Sequence, residues 1–411
     1  MSERVPLLFY CQHSLGMGHL VRSLALVAEL GRHFRVVFLN GGPLPQGLKF
    51  PSGVEVVNLP PLGMSTDGRL VSRDRRRTVE RALQLRRRVI LETYRSLRPR
   101  VVLIELFPFG RKKFAGELVP LLEETRSEHL PRPLVCCSLR DILVGKKADQ
   151  QKHDARAVEA ANRYFDAVLV HSDPSFARLE ESLSSSARLR VPVHYTGFVQ
   201  AEDKPTLQEQ RPTRTRSTRQ VLVSAGGGLV GEPLFRAAVE AFPAIRRTRG
   251  VTMKIVAGPF LPEDAWQSLR VATEGQTGLS LKRFMPDLCA EMRRSAASVS
   301  QCGYNTALDV LRAGVPGLVV PFAEGAEDEQ TKRARRLERL GALRVLEACD
   351  ASAARLAEEL TALLDFKPQR LGLDLDGARN TACLIRSLLP SRNSDQAARA
   401  GKHARRKEAR L

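Results

Sequence analysis

Residues 297–334 hold the densest set of side chains and turns suited to binding a phosphorylated ligand. The run at 297–300 reads as a buried strand, Gly303 as a tight turn, and Asn305 and Thr306 stand where the next helix opens. The first N–H groups of a helix have no partner within it and carry a partial positive charge, which makes them receivers of phosphate oxygens. Asp309 falls about one helical turn later, within reach of a ribose held beside that phosphate. Gly314-Val315-Pro316 ends the helix, 317–321 reads as the following strand, and Glu329-Gln330 opens a further helix. The plain alternative is an ordinary αβ unit with a Gly-Val-Pro loop.

A second chemical loop follows the first strand: His13-Ser14-Leu15-Gly16-Met17-Gly18-His19-Leu20-Val21-Arg22. Gly16 and Gly18 permit a ligand close to the backbone. His19 opens the helix, and an imidazole with an ordinary pKa of about 6.5 suits proton removal from a hydroxyl near neutral pH. A capping or packed histidine is the alternative. Glu105 ends the apolar strand in Leu103-Ile104-Glu105-Leu106-Phe107-Pro108, where a charge is costly unless partnered or facing a cleft. It either grips acceptor hydroxyls or pairs with Arg111 as a structural bridge. Arg140-Asp141, just past the strand ending at Ser138, suits acceptor contact or loop capping. Ser224-Ala225-Gly226-Gly227-Gly228 ends the strand that opens the second half, and three successive glycines mark a ligand approaching the backbone.

The elements that must carry these groups alternate apolar runs with helical stretches, the pattern of a parallel sheet covered by helices. Strands are expected at 7–11, 35–39, 54–58, 101–106, 134–138, 167–171 and 191–195, with helices at about 19–31, 74–97, 113–126 and 149–163. The polar stretch 201–220 is a linker. Strands then recur at 221–224, 253–257, 279–284, 297–300 and 317–321, with helices at 232–242, 262–272, 287–295, 328–340 and 351–364 around the helix that opens at Asn305, which with its glycine turn and carboxylate is expected to form a nucleotide clamp. The expected plan is an N-terminal domain over 1–200, a C-terminal domain over 221–376, a helix at 377–389 and a disordered basic tail over 390–411. Ligands in doubly wound sheets sit beyond the carboxyl ends of the strands, where both glycine loops fall.

Composition bounds the partners. The chain of 411 residues is 43% hydrophobic, with no apolar run long enough to span a bilayer. The start, Met1-Ser2-Glu3-Arg4-Val5-Pro6, lacks the pattern of a secretory leader, and the seven cysteines form no Cys-x-x-Cys pair, so a cytoplasmic protein with reduced thiols is expected. The formal charge of +20 concentrates in three places. Residues 69–100 hold twelve arginines against Asp74, Glu80 and Glu92, residues 204–219 hold five bases against Glu209, and residues 392–410 hold seven against Asp395 and Glu408. No stacking aromatics or zinc-finger pattern interleave with them, which argues against nucleic acid. Anionic lipid or plain solvation are the other readings, because the helix at 74–97 mixes Arg75, Arg76, Arg77, Arg81, Arg86, Arg87 and Arg88 with apolar residues.

The 303–334 segment resembles the donor-binding signature of GT-B glycosyltransferases, nearest to family 28. In that family the helix starts in Gly-x-x-Thr, carries a ribose-binding carboxylate and precedes Gly-x-Pro. Gly303, Thr306 and Asp309 match, with Asp in place of Glu. Glu329-Gln330 stands at the family's Gln-Gln pair, which holds the donor sugar, and Arg333-Ala334 stands at Asn-Ala. Glutamate is an acceptor-only group where glutamine both donates and accepts. The resemblance implies an α/β fold of the GT-B type, two doubly wound Rossmann-like domains facing a central cleft, with the 377–389 helix returning to the first domain. It implies that Gly18, Ser224, Gly226, Gly227, Gly303, Asn305, Thr306, Asp309, Glu329 and Gln330 bind the donor. Phe284 would pack on the base, with core packing as its alternative. The loop at 13–22 also resembles the Gly-His loop of small-molecule glycosyltransferases and the Gly-His-x-x-Arg loop of a related sugar-nucleotide hydrolase. His19 and Glu105 are then the catalytic pair, Glu105 orienting the base, with Arg22, Arg140 and Asp141 on the acceptor side.

The expected reaction is inverting transfer of a hexose or N-acetylhexosamine from a UDP-sugar to a hydroxyl on a lipid-linked, polysaccharide or small-molecule acceptor. No cofactor is expected. The only Asp-x-Asp, Asp374 and Asp376, lies beside the last helix rather than at a strand end, so a metal-free reaction is expected. An oxidoreductase is disfavoured because the 16–18 loop lacks a third glycine and a ribose carboxylate at the usual distance. A nucleotide-sugar hydrolase or epimerase keeps the same fold, and a basic nucleic-acid- or membrane-binding protein with a degenerate GT-B fold is the reading of another class. The basic helix suggests peripheral attachment at the inner face of the membrane.

Overall fold

The computed structural model describes residues 4–13, 18–44, 48–65, 68–145, 149–200, 219–322 and 328–389. Gly16, most of the 201–220 linker and the 390–411 tail lie outside them. The first half runs β1 (Val5–Cys11), α1 (Gly18–His33), β2 (Phe34–Asn40), β3 (Glu55–Asn58), β4 (Leu62–Met64), β5 (Leu70–Ser72), α2 (Val79–Leu97) and β6 (Val101–Glu105). It continues α3 (Ala115–Glu124), β7 (Leu134–Arg140), α4 (Gln150–Tyr164), β8 (Ala167–His171) and β9 (Val193–Tyr195). The second half runs β10 (Gln220–Ser224), α5 (Glu232–Arg249), β11 (Thr252–Val256), α6 (Glu263–Thr273), β12 (Leu279–Lys282), α7 (Leu288–Arg294) and β13 (Ala297–Ser300). Then come α8 (Tyr304–Ala313), β14 (Gly317–Val319), α9 (Glu329–Arg339), β15 (Arg344–Val345), α10 (Ala353–Leu363) and α11 (Gly377–Leu388).

Each half is built on a parallel sheet, ordered β3-β2-β1-β6-β7-β8-β9 and β12-β11-β10-β13-β14-β15. Strands covered on both faces must be apolar on both, and Leu7, Leu8, Phe9, Tyr10 and Cys11 are all fully buried. In both sheets the strand order reverses between two neighbours, β1/β6 and β10/β13, and such reversals open a crevice at the strand ends. Glu105 ends β6 and the Ser224 loop follows β10, so the candidate groups stand at these two points.

Several elements depart from expectation. Helix α2 starts at Val79, not at 74, because Thr78 caps it by accepting from the Arg81 N–H at 3.3 Å. Asp74 instead makes a turn, its Oδ1 accepting from the Arg76 N–H at 3.0 Å. Helix α5 does not stop at residue 242 but runs through Pro243 to a left-handed Gly250. Burial of Phe242 and Ile245 outweighs the hydrogen bond that proline cannot make. The strand at 279–284 ends at Lys282, and the antiparallel β4–β5 pair is an addition.

Helix α11 packs on α1 and sends Ala382 and Ile385 into the first half's apolar cluster. One further cluster spans both halves, joining Ile142, Phe176 and Phe198 to Tyr304, Leu308 and Leu337. No helix among the described residues is long and apolar enough to cross a membrane.

On α2, Arg86 faces inward and is satisfied by Glu117, Gln12 and the carbonyls of Gly41 and Pro60. It is therefore a structural ion rather than part of a basic stripe. The outer face keeps a groove of about 640 Å³ lined by Arg77, Arg81, Arg87, Arg88, Leu85 and Leu91.

Candidate active site

His19 is the second residue of α1, and its Nδ1 lies 2.6 Å from Glu105 Oε1. The same oxygen accepts from Arg22 Nη2 at 2.5 Å. Arg22 comes one turn after His19 on α1, so both reach the end of β6 from one helix face. A carboxylate only accepts and a guanidinium only donates, so Nδ1 must carry the imidazole proton to pair with Glu105. That leaves Nε2 as the nitrogen able to accept a proton. Arg111 bonds the Gln12 carbonyl at 2.8 Å and not Glu105, so the expected Glu105–Arg111 bridge is replaced by Glu105–Arg22.

Electrostatics follow from burial. Glu105 is 0% exposed and Arg22 is 1% exposed. Burial alone would raise the Glu105 pKa, but the His19 contact and the Arg22 and Arg111 charges outweigh it and hold the carboxyl well below the usual carboxylate range. The His19 side chain is 14% exposed. Burial pulls its pKa down to about 3; Glu105 opposes this while Arg111 and Arg22 add to it. The imidazole is therefore neutral at physiological pH.

The start of α8 comes up beside this pair through the backbone of Gly18. Asn305 Nδ2, on α8, donates to the Gly18 carbonyl at 3.1 Å, which joins the N-termini of α8 and α1. Gly226 lies against Thr306, since a Cβ at Gly226 would sit 3.6 Å from Thr306 Oγ1. Gly303 caps α8 at φ −61° and ψ 155°, a conformation open to any residue, and a Cβ there would meet nothing within 4 Å. The expected tight turn at Gly303 is thus not what its lack of a side chain serves; it keeps the helix end open. The glycine run has a partly structural cause. Gly228, at φ +88°, passes so close to Ala257 that a Cβ would lie 2.1 Å from its carbonyl oxygen.

Buried polar atoms nearly always find partners. Around these helix ends Ser224 Oγ, Ser300 Oγ, Asn305 Oδ1 and Glu105 Oε2 find none among the described residues, and a polar ligand would use such atoms. Asp309 is half-buried one turn into α8. Phe284 is 58% exposed, which removes core packing as its role.

Other expected site residues are spent on joining the halves. Arg140 Nη1 donates to Glu329 Oε1 at 2.9 Å, and Arg333 donates to both Asp141 oxygens at 2.7 and 2.8 Å and to Glu329 Oε2 at 3.2 Å. With Glu329 and Arg333, Arg140 and Asp141 form a largely buried quartet of alternating charge, in which Arg140 Nε, unlike Arg333 Nε, has no partner among the described residues. Gln330 Oε1 accepts from the N–H groups of Cys302 and Phe322 at 3.1 and 3.2 Å, leaving its Nε2 to donate. Arg22, expected on the acceptor side, is buried behind Glu105.

Tyr304 was not singled out from sequence. Its hydroxyl donates to the His171 carbonyl at 3.0 Å and accepts from the Val199 N–H at 2.8 Å, while its ring faces Arg22 at 5.2 Å and Arg333 at 5.9 Å. An aromatic inside an otherwise polar helix start was the available signal. For Arg333 the signal was its spacing of four from Glu329.

Residues 225–374 match the glycosyltransferase family 28 C-terminal domain. The UDP-N-acetylglucosamine–N-acetylmuramyl-(pentapeptide) pyrophosphoryl-undecaprenol N-acetylglucosamine transferase of Xanthomonas campestris is 28% identical over 217 residues, 50% of this chain and 50% of that protein. The chain spans about half or less of the length of the curated relatives it matches. Two solved structures share the fold. The calicheamicin glycosyltransferase CalG4 is 20% identical with a TM-score of 0.55 over 100% of both chains. MurG of Acinetobacter baumannii is 16% identical with a TM-score of 0.55, over 94% of this chain and 100% of that one. With its two parallel sheets, each with a crevice at its strand reversal, the chain has the GT-B fold, and its residues 225–374 are similar to the family 28 C-terminal domain.

Proposed function

We propose that the chain is an inverting, metal-independent glycosyltransferase that moves a hexose or N-acetylhexosamine from a UDP-sugar to a hydroxyl acceptor, with His19 as general base. The observation that carries this reading is the Asn305–Gly18 bond, which brings the helix end suited to a donor phosphate against the helix end that bears His19. The acceptor hydroxyl gives its proton to His19 Nε2 as its oxygen attacks the anomeric carbon. The bond to the diphosphate breaks on the opposite face, which inverts the centre. The charge left on UDP goes to the N–H groups opening α8 and to the 226–228 loop. Asp309 holds the ribose and Phe284 covers the base. A His19 pKa of about 3 belongs to the free protein. A bound diphosphate favours the protonated imidazole and raises that value toward the working range.

Hydrolysis is the second reading, favoured by the Arg22–Glu105 bond that fits a Gly-His-x-x-Arg loop. Both are tested by following UDP release from a panel of UDP-sugars with and without alcohol acceptors. Release that needs an acceptor, with inversion seen in the product by NMR, supports transfer. Release into water alone makes the protein a hydrolase, and no release from any nucleotide sugar refutes both. The arginine-lined outer face of α2 suits an anionic membrane surface, which would keep the enzyme at the inner face of the membrane with a lipid-linked acceptor.

A further inference from the structure

Residues 304 and 305 are consecutive at the start of α8, yet both act on the first half. Asn305 holds the carbonyl of Gly18, the residue before His19. Tyr304 lays its ring against the Arg22 guanidinium, whose Nη2 bonds the one Glu105 oxygen that also holds His19. The ring cannot drift, because its hydroxyl is pinned at once to the His171 carbonyl and the Val199 N–H. Arg22 has little else to hold it: its Nε has no partner among the described residues, and Glu105 is its only ion-pair partner there. A buried guanidinium against an aromatic face is attracted most strongly when water is excluded. We infer that Tyr304 and Arg22 are positioning residues for His19, so that the base takes its working orientation only when the donor half is docked through the start of α8.

This deepens the transfer reading and rests on it: the helix that takes the donor phosphate also sets the base. The groups that bear on His19 come from every element around it. They are Glu105 at the end of β6, Arg22 on α1, Arg111 after β6 and Cys11 on β1, with His171 on β8 and Tyr304 on α8 reached through Arg22. Arg22 and Arg111 disfavour the imidazolium while Glu105 favours it. Loss of the Arg22 charge should therefore raise the proton affinity of His19 and move the acid limb of turnover to higher pH. A merely structural role would lower activity without moving that limb.

The decisive measurement is NMR of the His19 ring in the full chain, assigned by its loss in His19→Gln. The wild type should show a neutral imidazole with a slowly exchanging Nδ1 proton. Tyr304→Leu and Arg22→Met should exchange that proton at least about ten-fold faster, the effect of weakening one hydrogen bond to a charged group. Tyr304→Phe keeps the ring but releases it from the His171 carbonyl and the Val199 N–H, so its exchange should fall between wild type and Tyr304→Leu. Arg22→Lys keeps the charge but loses the planar face, and it carries the test alone should Tyr304→Leu fail to fold. Wild-type exchange in a folded Tyr304→Leu, or in Arg22→Lys where that variant is used, overturns the inference. The readout needs no substrate. Absent turnover with the expected exchange pattern refutes the transfer reading alone, whereas full turnover with unchanged exchange refutes the inference alone.

Discussion

Replacing Glu105 by Gln keeps the side chain's shape and removes its charge, and the outcome can be worked from its contacts. Oε1 accepts from His19 at 2.6 Å and Arg22 at 2.5 Å, while Oε2 has no partner among the described residues. Glutamine can therefore turn its carbonyl to the two donors and its amide to the unpartnered side. Sterically nothing is lost. Arg22, only 1% exposed, is then a buried cation facing a neutral group. Breaking a buried pair from one side costs about 3–5 kcal/mol. At roughly 2–4 °C per kcal/mol for a unit of this size, Tm should fall by about 10 °C. Removing the cation as well relieves the penalty, so Arg22→Met/Glu105→Gln should be about 2 kcal/mol or more stabler than the two single losses predict by addition. Turnover of Glu105→Gln should drop about 10²–10⁴-fold, because the base loses the anion that stabilises its charged form. Urea unfolding of the four proteins at neutral pH gives the cycle, and single-turnover assays give the rate. Additivity within about 0.5 kcal/mol would refute the claim that Glu105 and Arg22 form one isolated buried pair.

Four further outcomes are expected. Asp309→Ala should weaken UDP binding by about one to two powers of ten in calorimetry, the loss of charge-assisted bonds to ribose, and unchanged affinity would remove Asp309 from the clamp. His19→Ala should bind donor normally but turn over about 10²–10⁴ times more slowly; a parallel loss of donor affinity would make the residue structural. Burial lowers the pKa of His19 and of His171 to about 3, so below about pH 6.5 the unfolded chain binds protons that the folded chain refuses. Their contribution to stability is thus complete above about pH 6.5 and is lost as the pH falls towards the folded values, about 2 kcal/mol for each histidine down to pH 5, which urea midpoints would show as a flat line if this were wrong. Vesicles containing anionic lipid should co-sediment the protein at low salt and release it as screening shortens to about 8 Å; protein left in the supernatant at low salt would favour a soluble acceptor.

Much of the architecture was legible because parallel strands covered on both faces must be apolar throughout, as the fully buried Leu7–Cys11 stretch of β1 shows. The three-residue strands β4 and β5 were not, since so short a run carries no period to read. Pro243 misled because local propensity argues for a stop while Ile245, fully buried one turn portion later, argues for continuation. In the site, the cost of an unpartnered charge at a strand end called for a partner or a cleft for Glu105, but only the family resemblance pointed to His19 rather than Arg111. The role of Arg22 could not, because its ring partner Tyr304 comes from the other half of the chain and only the tertiary fold brings it near.

The same limit explains Glu329. Read against the family's Gln-Gln pair, an acid at this position looks like a change in how the donor sugar is read. In the folded chain it answers a different demand. Arg140 and Arg333 are both drawn from solvent where the halves meet, and buried cations need anions. Asp141 satisfies Arg333 through two bonds but makes none to Arg140, so a neutral glutamine at 329 would leave Arg140 without its ion-pair partner. Glu329 and Arg333 therefore act together with Arg140 and Asp141 in binding one half to the other. Sugar reading in the proposed reaction then falls to Gln330, whose carbonyl oxygen is already held by two backbone N–H groups. Only its Nε2 hydrogens remain, so this turn offers the donor sugar a donor and no side-chain acceptor from Gln330, which selects for a sugar that presents an acceptor oxygen there.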